Sequence, residues 1–305
     1  MFSSPIWLPA TLVAGALQAW RTAVQRRVSE SLSLNGAGLV RYLYGMPFTT
    51  TLLALYLVVF PTPWPRLNAD FLLFCGAGGL AQIIATNLLI SAFRYRNFVV
   101  GTAYSKTEAA QGAVLSFFLL GETLPPLSWA GIACGVAGVM LLSTGGRKLG
   151  LWDFVRALGQ PAAVTGIASG FFFALTAIGI RRATQGVDTD TPVFAALIVL
   201  AVTVPLQTVM QGGWLLWREP AEMRRVLSSW RVSGQVGLLS ALGSACWFTG
   251  FATAPVALVR IVGQVEVAFT MAFGHFYLRE TVRRSELAGL ILVAAGVILA
   301  LAGTL

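Results

Sequence analysis

Charged residues are scarce in this sequence: lysine, arginine, aspartate and glutamate make up 11% of its 305 residues. Soluble proteins average about 25%, so a soluble globular domain is excluded. The remaining residues are largely apolar, since 56% of the chain is hydrophobic and the mean hydropathy is +0.76. This composition indicates an all-α integral membrane protein with several spans.

Cysteine and histidine are also rare. The three cysteines, Cys75, Cys134 and Cys246, lie in separate apolar stretches without a Cys-x-x-Cys spacing. This pattern predicts neither a disulfide framework nor a metal site, and we expect no cofactor. The first basic residue is Arg21, so the opening apolar run lacks the basic start of a secretory signal and is predicted to be a retained span.

Motifs of hydrolytic enzymes are missing as well, since the sequence contains no HExxH and no GxSxG. Ala168-Ser169-Gly170 and His275 are similar to the serine dyad of a rhomboid-type intramembrane hydrolase, but Ile167 stands where that motif has glycine. We therefore expect no enzymatic activity and keep an intramembrane hydrolase as a remote alternative.

The end of the chain repeats an earlier stretch at a fixed offset of 158 residues. Residues 121–142 read GETLPPLSWAGIACGVAGVMLL, and residues 279–300 read RETVRRSELAGLILVAAGVILA. The same offset aligns Glu108 with Glu266. The duplication predicts two related halves, each with one acid in an apolar run.

Apolar windows of about 20 residues, the length that crosses roughly 30 Å of hydrocarbon as a helix, occur ten times. We predict transmembrane helices at residues 5–24, 38–60, 71–92, 98–119, 127–144, 161–181, 192–213, 233–253, 256–278 and 285–304. A polar connector divides them into two five-helix repeats, residues 1–150 and 151–305. Because five is odd, the second repeat enters the membrane from the opposite side, and such inverted-topology repeats are typical of secondary transporters.

Corresponding helix breakers in inverted repeats indicate a binding site near the membrane midplane. Pro47 in span two and Pro205 in span seven are again 158 residues apart. Both spans are therefore expected to kink at the same level.

The 21 lysines and arginines are unevenly distributed. Fourteen lie in the odd-numbered connectors between spans, and three lie in or at the edge of the even-numbered ones. Positively charged loops mark the cytoplasmic side, so we expect cytoplasmic odd connectors and outward-facing termini. The net charge of +9 is then a signal of topology, and no nucleic-acid partner is expected.

Ionisable residues within the spans are functional candidates, because an unpartnered charge in hydrocarbon costs several kcal/mol. Arg21, Arg41 and Arg260 lie near span ends, where snorkelling side chains reach the interface. Lys106 and Glu108 lie deeper in span four. Because residues two apart project to nearly opposite sides of a helix, each is expected to need a partner on another helix or a watery cavity.

The two halves share an acidic residue at this position but differ at the basic one. Glu266 matches Glu108, whereas Gln264 occupies the position of Lys106. We predict that Glu108 and Glu266 are coupling groups, because an acid in a cavity that opens alternately to each side can load and release a proton. Gln264 is a further candidate substrate- or ion-binding residue.

The substrate is expected to carry at least one anionic group. We predict that Lys106 binds this group with help from Arg41 or Tyr104, because an unpaired ammonium in an apolar zone is unfavourable. A zwitterionic amino acid fits, since its ammonium would meet Glu108 or Glu266. A purely structural ion pair between Glu108 and Lys106 or Arg41 is the alternative.

The ten spans, the two halves and the glutamates at the entries of spans five and ten make the chain similar to the EamA family of the drug/metabolite transporter superfamily. The glutamates are Glu122, in a Gly-Glu step, and Glu280, and an Ala-Gly-rich helix follows each. Residues 265–269, Val-Glu-Val-Ala-Phe, resemble the family's Glu-Pro-Val-Phe-like segment without its proline. Glu122 and Glu280 are expected to complement the positive ends of the helices they precede.

This resemblance implies a secondary-active transporter, often an exporter, of a small polar metabolite such as an amino acid or organic anion, working by alternating access. It implies protons or a counter-substrate and membrane lipids as partners, a monomer or homodimer, and the bacterial cytoplasmic membrane as location. Family members usually have cytoplasmic termini, opposite to the charge count. A lipid-headgroup flippase and a non-transporting scaffold remain alternative functions.

Overall fold

The computed structural model describes residues 5–95, 104–144, 159–277, 279 and 284–303. Within these ranges the chain is helical. The helices are α1 Trp7–Ser31, α2 Leu34–Leu43, α3 Met46–Val59, α4 Phe71–Tyr95, α5 Glu108–Leu120, α6 Pro126–Thr144, α7 Pro161–Gln185, α8 Pro192–Arg218, α9 Pro220–Ser228, α10 Trp230–Thr253, α11 Val256–Gly263, α12 Glu266–Phe276 and α13 Arg284–Ala302.

Helix boundaries recur at the offset of the sequence repeat. α5 and α12 begin at Glu108 and Glu266, and α6 and α13 begin at Pro126 and Arg284, so both pairs are 158 residues apart. The long α8 corresponds to α2 and α3 together. The predicted architecture of two related helical halves is therefore confirmed.

Packing between the helices follows the same relation. α4 packs along α7, the equivalent helices α10 and α1 pack along each other, and α6 packs along its own equivalent, α13. Each of these contacts joins one half to the other. The most extensive helix contacts of the described residues therefore lie between the halves.

Glycines allow α6 and α13 to approach closely. A Cβ atom at Gly138 would lie 2.6 Å from the Gly289 carbonyl oxygen, and one at Gly131 would lie 2.6 Å from that of Gly296. The Cys134 thiol donates to the carbonyl of Leu292, its own repeat equivalent, at 3.4 Å. A contact between equivalent residues places the two-fold axis relating the halves at this crossing. The glycines thus serve helix packing.

Six helical segments of the described residues are long and apolar enough to cross a membrane: Leu34–Val59, Phe71–Phe93, Pro161–Gln185, Pro192–Arg218, Trp230–Thr253 and Val256–Phe276. Shorter apolar helices cover Glu108–Leu120, Pro126–Val139 and Leu287–Ala302. These nine segments fall on predicted spans two to ten. The first predicted span is the 25-residue α1, in which Gln18 and Arg21 lower the hydropathy.

The two repeat-related prolines differ in their effect. Span two is interrupted between α2 and α3, and Pro47 lies in the first turn of α3. Pro205 lies inside α8, which continues through it from Pro192 to Arg218. The expectation of equivalent kinks is thus not matched by the helix boundaries. Pro47 needs no N–H partner in a first turn, so a break just before it is inexpensive.

The halves also contact each other at both ends of the bundle. At the even-connector end, Leu67 and Val187 form an isolated antiparallel bridge. At the odd-connector end, the backbone N–H of Ser33 donates to Glu222 of α9. The two contacts involve equivalent connectors.

Candidate functional site

The two deep acids stand at breaks in the helices of spans four and nine. Residues 106–107 form a turn before Glu108, the first residue of α5, and residues 264–265 form the equivalent turn before Glu266, the first residue of α12. A helix N-terminus exposes N–H groups and a positive dipole end, which stabilise a carboxylate. Interrupted helices at corresponding positions build the midplane sites of inverted-repeat transporters. From the sequence both spans are expected to be continuous, because no proline marks the turns.

Four buried side chains form what we name the acid–base cluster: Lys106, Glu108, Arg260 and Glu266. The Lys106 Nζ lies 2.6 Å from Glu266 Oε2 and 3.4 Å from Glu108 Oε1. The Arg260 guanidinium lies 3.4 Å from Glu108 Oε2. Two cations therefore balance two carboxylates, and these contacts join the two halves of the chain.

The contact between Lys106 and Glu108 corrects the expectation that residues two apart cannot meet. The Ala109 N–H bonds to the Lys106 carbonyl three residues back, at 3.3 Å, as in a 3₁₀ turn. Three residues per turn place side chains two apart at about 120° around the axis, against about 160° in an α-helix. The break in the helix therefore makes the ion pair geometrically feasible.

Arg260 was expected to reach the membrane interface, and the structure instead buries it. Its side chain is 5% exposed, and its guanidinium donates to the Phe173 carbonyl at 2.8 Å. The same group lies over the Trp247 and Phe251 rings at 5.2 and 4.9 Å. α11 is short and enclosed by neighbouring helices. The Arg260 side chain therefore extends inward to Glu108 and not toward the membrane interface.

Arg21 and Arg41, which we name the arginine pair, are buried as well, contrary to the snorkelling expectation. Arg21 lies inside α1, which runs to Ser31, and Arg41 lies in the last turn of α2, beside the break within span two. Arg41 donates to Thr86 Oγ1 at 3.1 Å and to Ser244 Oγ at 3.5 Å. Thr86 and Ser244 are 158 residues apart, so Arg41 bridges equivalent hydroxyls of the two halves.

Sequence reasoning missed a polar face on α1. Gln18 donates to Glu266 Oε2 at 2.7 Å, and Arg21 donates to Gln25 Oε1 at 2.8 Å. The spacing of Gln18, Arg21 and Gln25 by three and four residues marks one face of a helix. That periodicity was the available signal, and it places α1 against the acid–base cluster.

Two predicted site residues point elsewhere. Tyr104 is buried against Ala163 and Ile167 of α7, apart from the contacts of Lys106. The Gln264 side chain lies against the backbone at Gly135 of α6, and within the described part of the chain neither of its amide atoms has a hydrogen-bond partner. Their roles in substrate binding stay predictions.

Glu122 complements a helix, although a different one from that expected. Its Oε2 accepts from the N–H of Val256, the first residue of α11, at 2.9 Å, and its Oε1 lies 3.6 Å from Arg181 Nε. Burial raises the pKa of the Glu122 carboxyl, and the nearby Arg181 guanidinium partly opposes this shift. Glu122 thus joins the halves instead of capping α6. Glu280 lies outside the described residues.

Neither hydrolytic chemistry nor metal binding gains support from the geometry. Ser169 donates its hydroxyl proton to the Ala85 carbonyl at 2.8 Å, so this hydroxyl is engaged in helix packing. No group of three or more metal-ligating side chains occurs in the ranges that the structure describes.

Two related halves that meet at buried charges beside broken helices are typical of a membrane transporter. The chain belongs to the EamA-like transporter family, whose sequence pattern matches residues 5–144 and again residues 160–302. It is therefore a transporter of small metabolites and no enzyme. A solved crystal structure of another protein is 18% identical, with a TM-score of 0.64, and the match covers 96% of this chain and 98% of that chain. This likeness supports the fold. No curated protein matches the chain.

Proposed function

We propose that the protein is a secondary-active exporter of a small polar metabolite with an anionic group, such as an amino acid or organic anion. The acid–base cluster carries this proposal, because it places ionisable groups at the helix breaks between the two halves. Movement of one half against the other would expose this position to each side in turn. We expect it to act as a monomer or homodimer in a bacterial cytoplasmic membrane.

Coupling is assigned to Glu108 and Glu266, which would bind a proton or the charge of a counter-substrate. Both carboxylates contact Lys106 in the described conformation. Protonation of one acid would weaken its contact with Lys106, and loss of this contact would help the halves to separate. The ion pair thereby links the charge state of the acids to conformation.

Substituting Glu266→Gln is expected to abolish transport driven by a pH gradient and to leave exchange of one substrate for another in place. The amide has nearly the shape of the acid and cannot release a proton. Proteoliposomes with an imposed pH gradient and labelled amino acids or organic anions measure both activities. The exposed Asp190→Asn in connector six is the matched control.

Unchanged gradient-driven transport by folded Glu266→Gln protein would refute the coupling role. Flipping of a labelled lipid, with no movement of any solute, would favour the flippase alternative.

The carboxy terminus is proposed to face away from the cytoplasm, because fourteen basic residues fall in the odd connectors. Leu305 itself lies outside the described residues. Two reporters fused after Leu305, one active only in the cytoplasm and one only outside, test this orientation. We expect activity from the external reporter, and cytoplasmic activity alone would reverse the assignment.

A further inference from the structure

The buried charges of the described residues do not balance. The acid–base cluster is neutral, but Arg21 and Arg41 are 2% and 5% exposed and have no carboxylate within ion-pair distance among the described residues. Arg21 donates to Gln25, and Gln25 donates to the Ala37 carbonyl, one turn before Arg41 in α2. The remaining buried acid, Glu222, pairs with Arg225 at the odd-connector end. Among the described residues, the centre of the bundle therefore holds an excess of about two positive charges.

Such an excess is unfavourable unless a ligand compensates for it, since a buried unpaired charge is strongly destabilising. In the described chain, one terminal nitrogen of Arg21 has no hydrogen-bond acceptor. Among the described residues, Arg41 donates to the hydroxyls of Thr86 and Ser244, which are uncharged and leave its charge uncompensated. Arg21 thus presents an unused donor to an anion, and both arginines present uncompensated charge.

We propose that the transported substrate is a small dianion, such as a dicarboxylate or a phosphate monoester, and that the arginine pair binds it. This inference rests on the proposed transport function and deepens it. A dianion would neutralise the excess of about two charges, whereas a zwitterion would leave it in place. The planar guanidinium forms paired hydrogen bonds to carboxylate and phosphate groups.

The position of Arg41 suits a site used in alternating access. Arg41 bridges α4 and α10, which belong to different halves, and it lines a cavity of about 10 Å³ together with Gln82, Gln207 and Ser240. This volume holds about one water molecule. A solute would therefore enter only when the halves separate, and binding would be linked to the conformational change.

Lys106 has a different role in this assignment from the anion-binding role predicted from the sequence. Its ammonium contacts two carboxylates, at 2.6 and 3.4 Å, and serves as their counter-ion. Substrate binding at the arginine pair and proton binding at the acids would then occupy neighbouring positions. Substitutions can therefore impair substrate binding and proton binding separately.

Binding to purified protein in nanodiscs at pH 7 tests the proposal, with succinate, inorganic phosphate, alanine and tetramethylammonium as probes. We expect succinate or phosphate to bind at least tenfold more tightly than alanine or tetramethylammonium. Arg41→Gln and Arg21→Gln should each weaken dianion binding at least tenfold. The exposed Arg224→Gln in α9 is the matched control and should bind as the wild type does.

Stability without ligand separates a binding role from a structural one. Removing one of two unpaired cations should leave each glutamine variant at least as stable as the wild type, whereas structural arginines would make both less stable. If a glutamine variant fails to fold, Arg41→Lys replaces it in the binding assay. Lysine retains the positive charge but lacks the forked guanidinium group. We therefore expect its dianion affinity to lie between that of the wild type and no binding.

Equal or tighter binding of alanine or the cation overturns the proposal, as does no binding of any dianion or unchanged dianion affinity in both arginine variants. In those cases the proposed transport function still stands if labelled solute crosses proteoliposomes and Glu266→Gln abolishes the gradient-driven part. Failure of the transport function would appear as the absence of any solute movement.

Discussion

Replacing Lys106 with glutamine is expected to lower the free energy of unfolding by about 3 to 5 kcal/mol, the usual cost of breaking a buried ion pair by removing one partner. Lys106 lies between Glu266 at 2.6 Å and Glu108 at 3.4 Å, and all three side chains are nearly inaccessible. Among the side chains that the structure describes, the variant leaves Glu266 with the neutral Gln18 as its donor. Thermal or chemical unfolding in a mild detergent measures the change.

A second substitution provides the internal check on the Lys106 result. Lys106→Gln combined with Glu266→Gln removes the unpaired carboxylate, so the double variant should recover much of the lost stability. Lys148→Gln, at the other lysine of the chain, is the control for the loss of a lysine in a polar connector. A single Lys106 variant within about 1 kcal/mol of the wild type would show that the cluster is hydrated.

Substituting Gly138→Ala is expected to destabilise the protein by about 1 to 3 kcal/mol, and larger side chains by more. The added Cβ would lie 2.6 Å from the Gly289 carbonyl oxygen and 2.7 Å from the Val293 nitrogen. Both atoms belong to the backbone of α13, so α6 and α13 must move apart. This crossing joins the halves at their two-fold axis, and we therefore also expect reduced transport.

The matched control for Gly138 is Gly213→Ala in α8, where an added Cβ would meet no described atom within 4 Å. Alanine there should be neutral or slightly stabilising, because glycine weakens a helix interior. Unfolding of both variants in the same detergent makes the comparison. Equal stability of Gly138→Ala and wild type would contradict close packing at the crossing.

Much of the fold could be predicted from the sequence because membrane spans and repeats are local patterns. In hydrocarbon the backbone N–H and C=O groups must bond to each other, so a 20-residue apolar run crosses as a helix. The offset of 158 residues then places the helices of one half onto those of the other. Glu108 and Glu266 could be predicted as site residues because an ionisable side chain within an apolar run is visible in the sequence itself.

Contacts of the charged residues could not be predicted in the same way. Arg21, Arg41 and Arg260 were assigned to the interface because distance along a span was the only measure of depth. Their burial depends on where α1, α2 and α11 end and on which neighbours surround them. The partner of Glu122 is likewise the first N–H of α11, 134 residues away.

The sequence by itself determined a duplicated membrane transporter and the two acids at its centre, since composition, periodicity and internal repetition are properties of the chain alone. Only the tertiary structure decided that the helices break before those acids and that Lys106 lies between them. The charge excess at Arg21 and Arg41 also emerged only there. Ion pairs are set by distances of a few ångströms across helices that are remote in sequence, and these distances depend on how both halves pack.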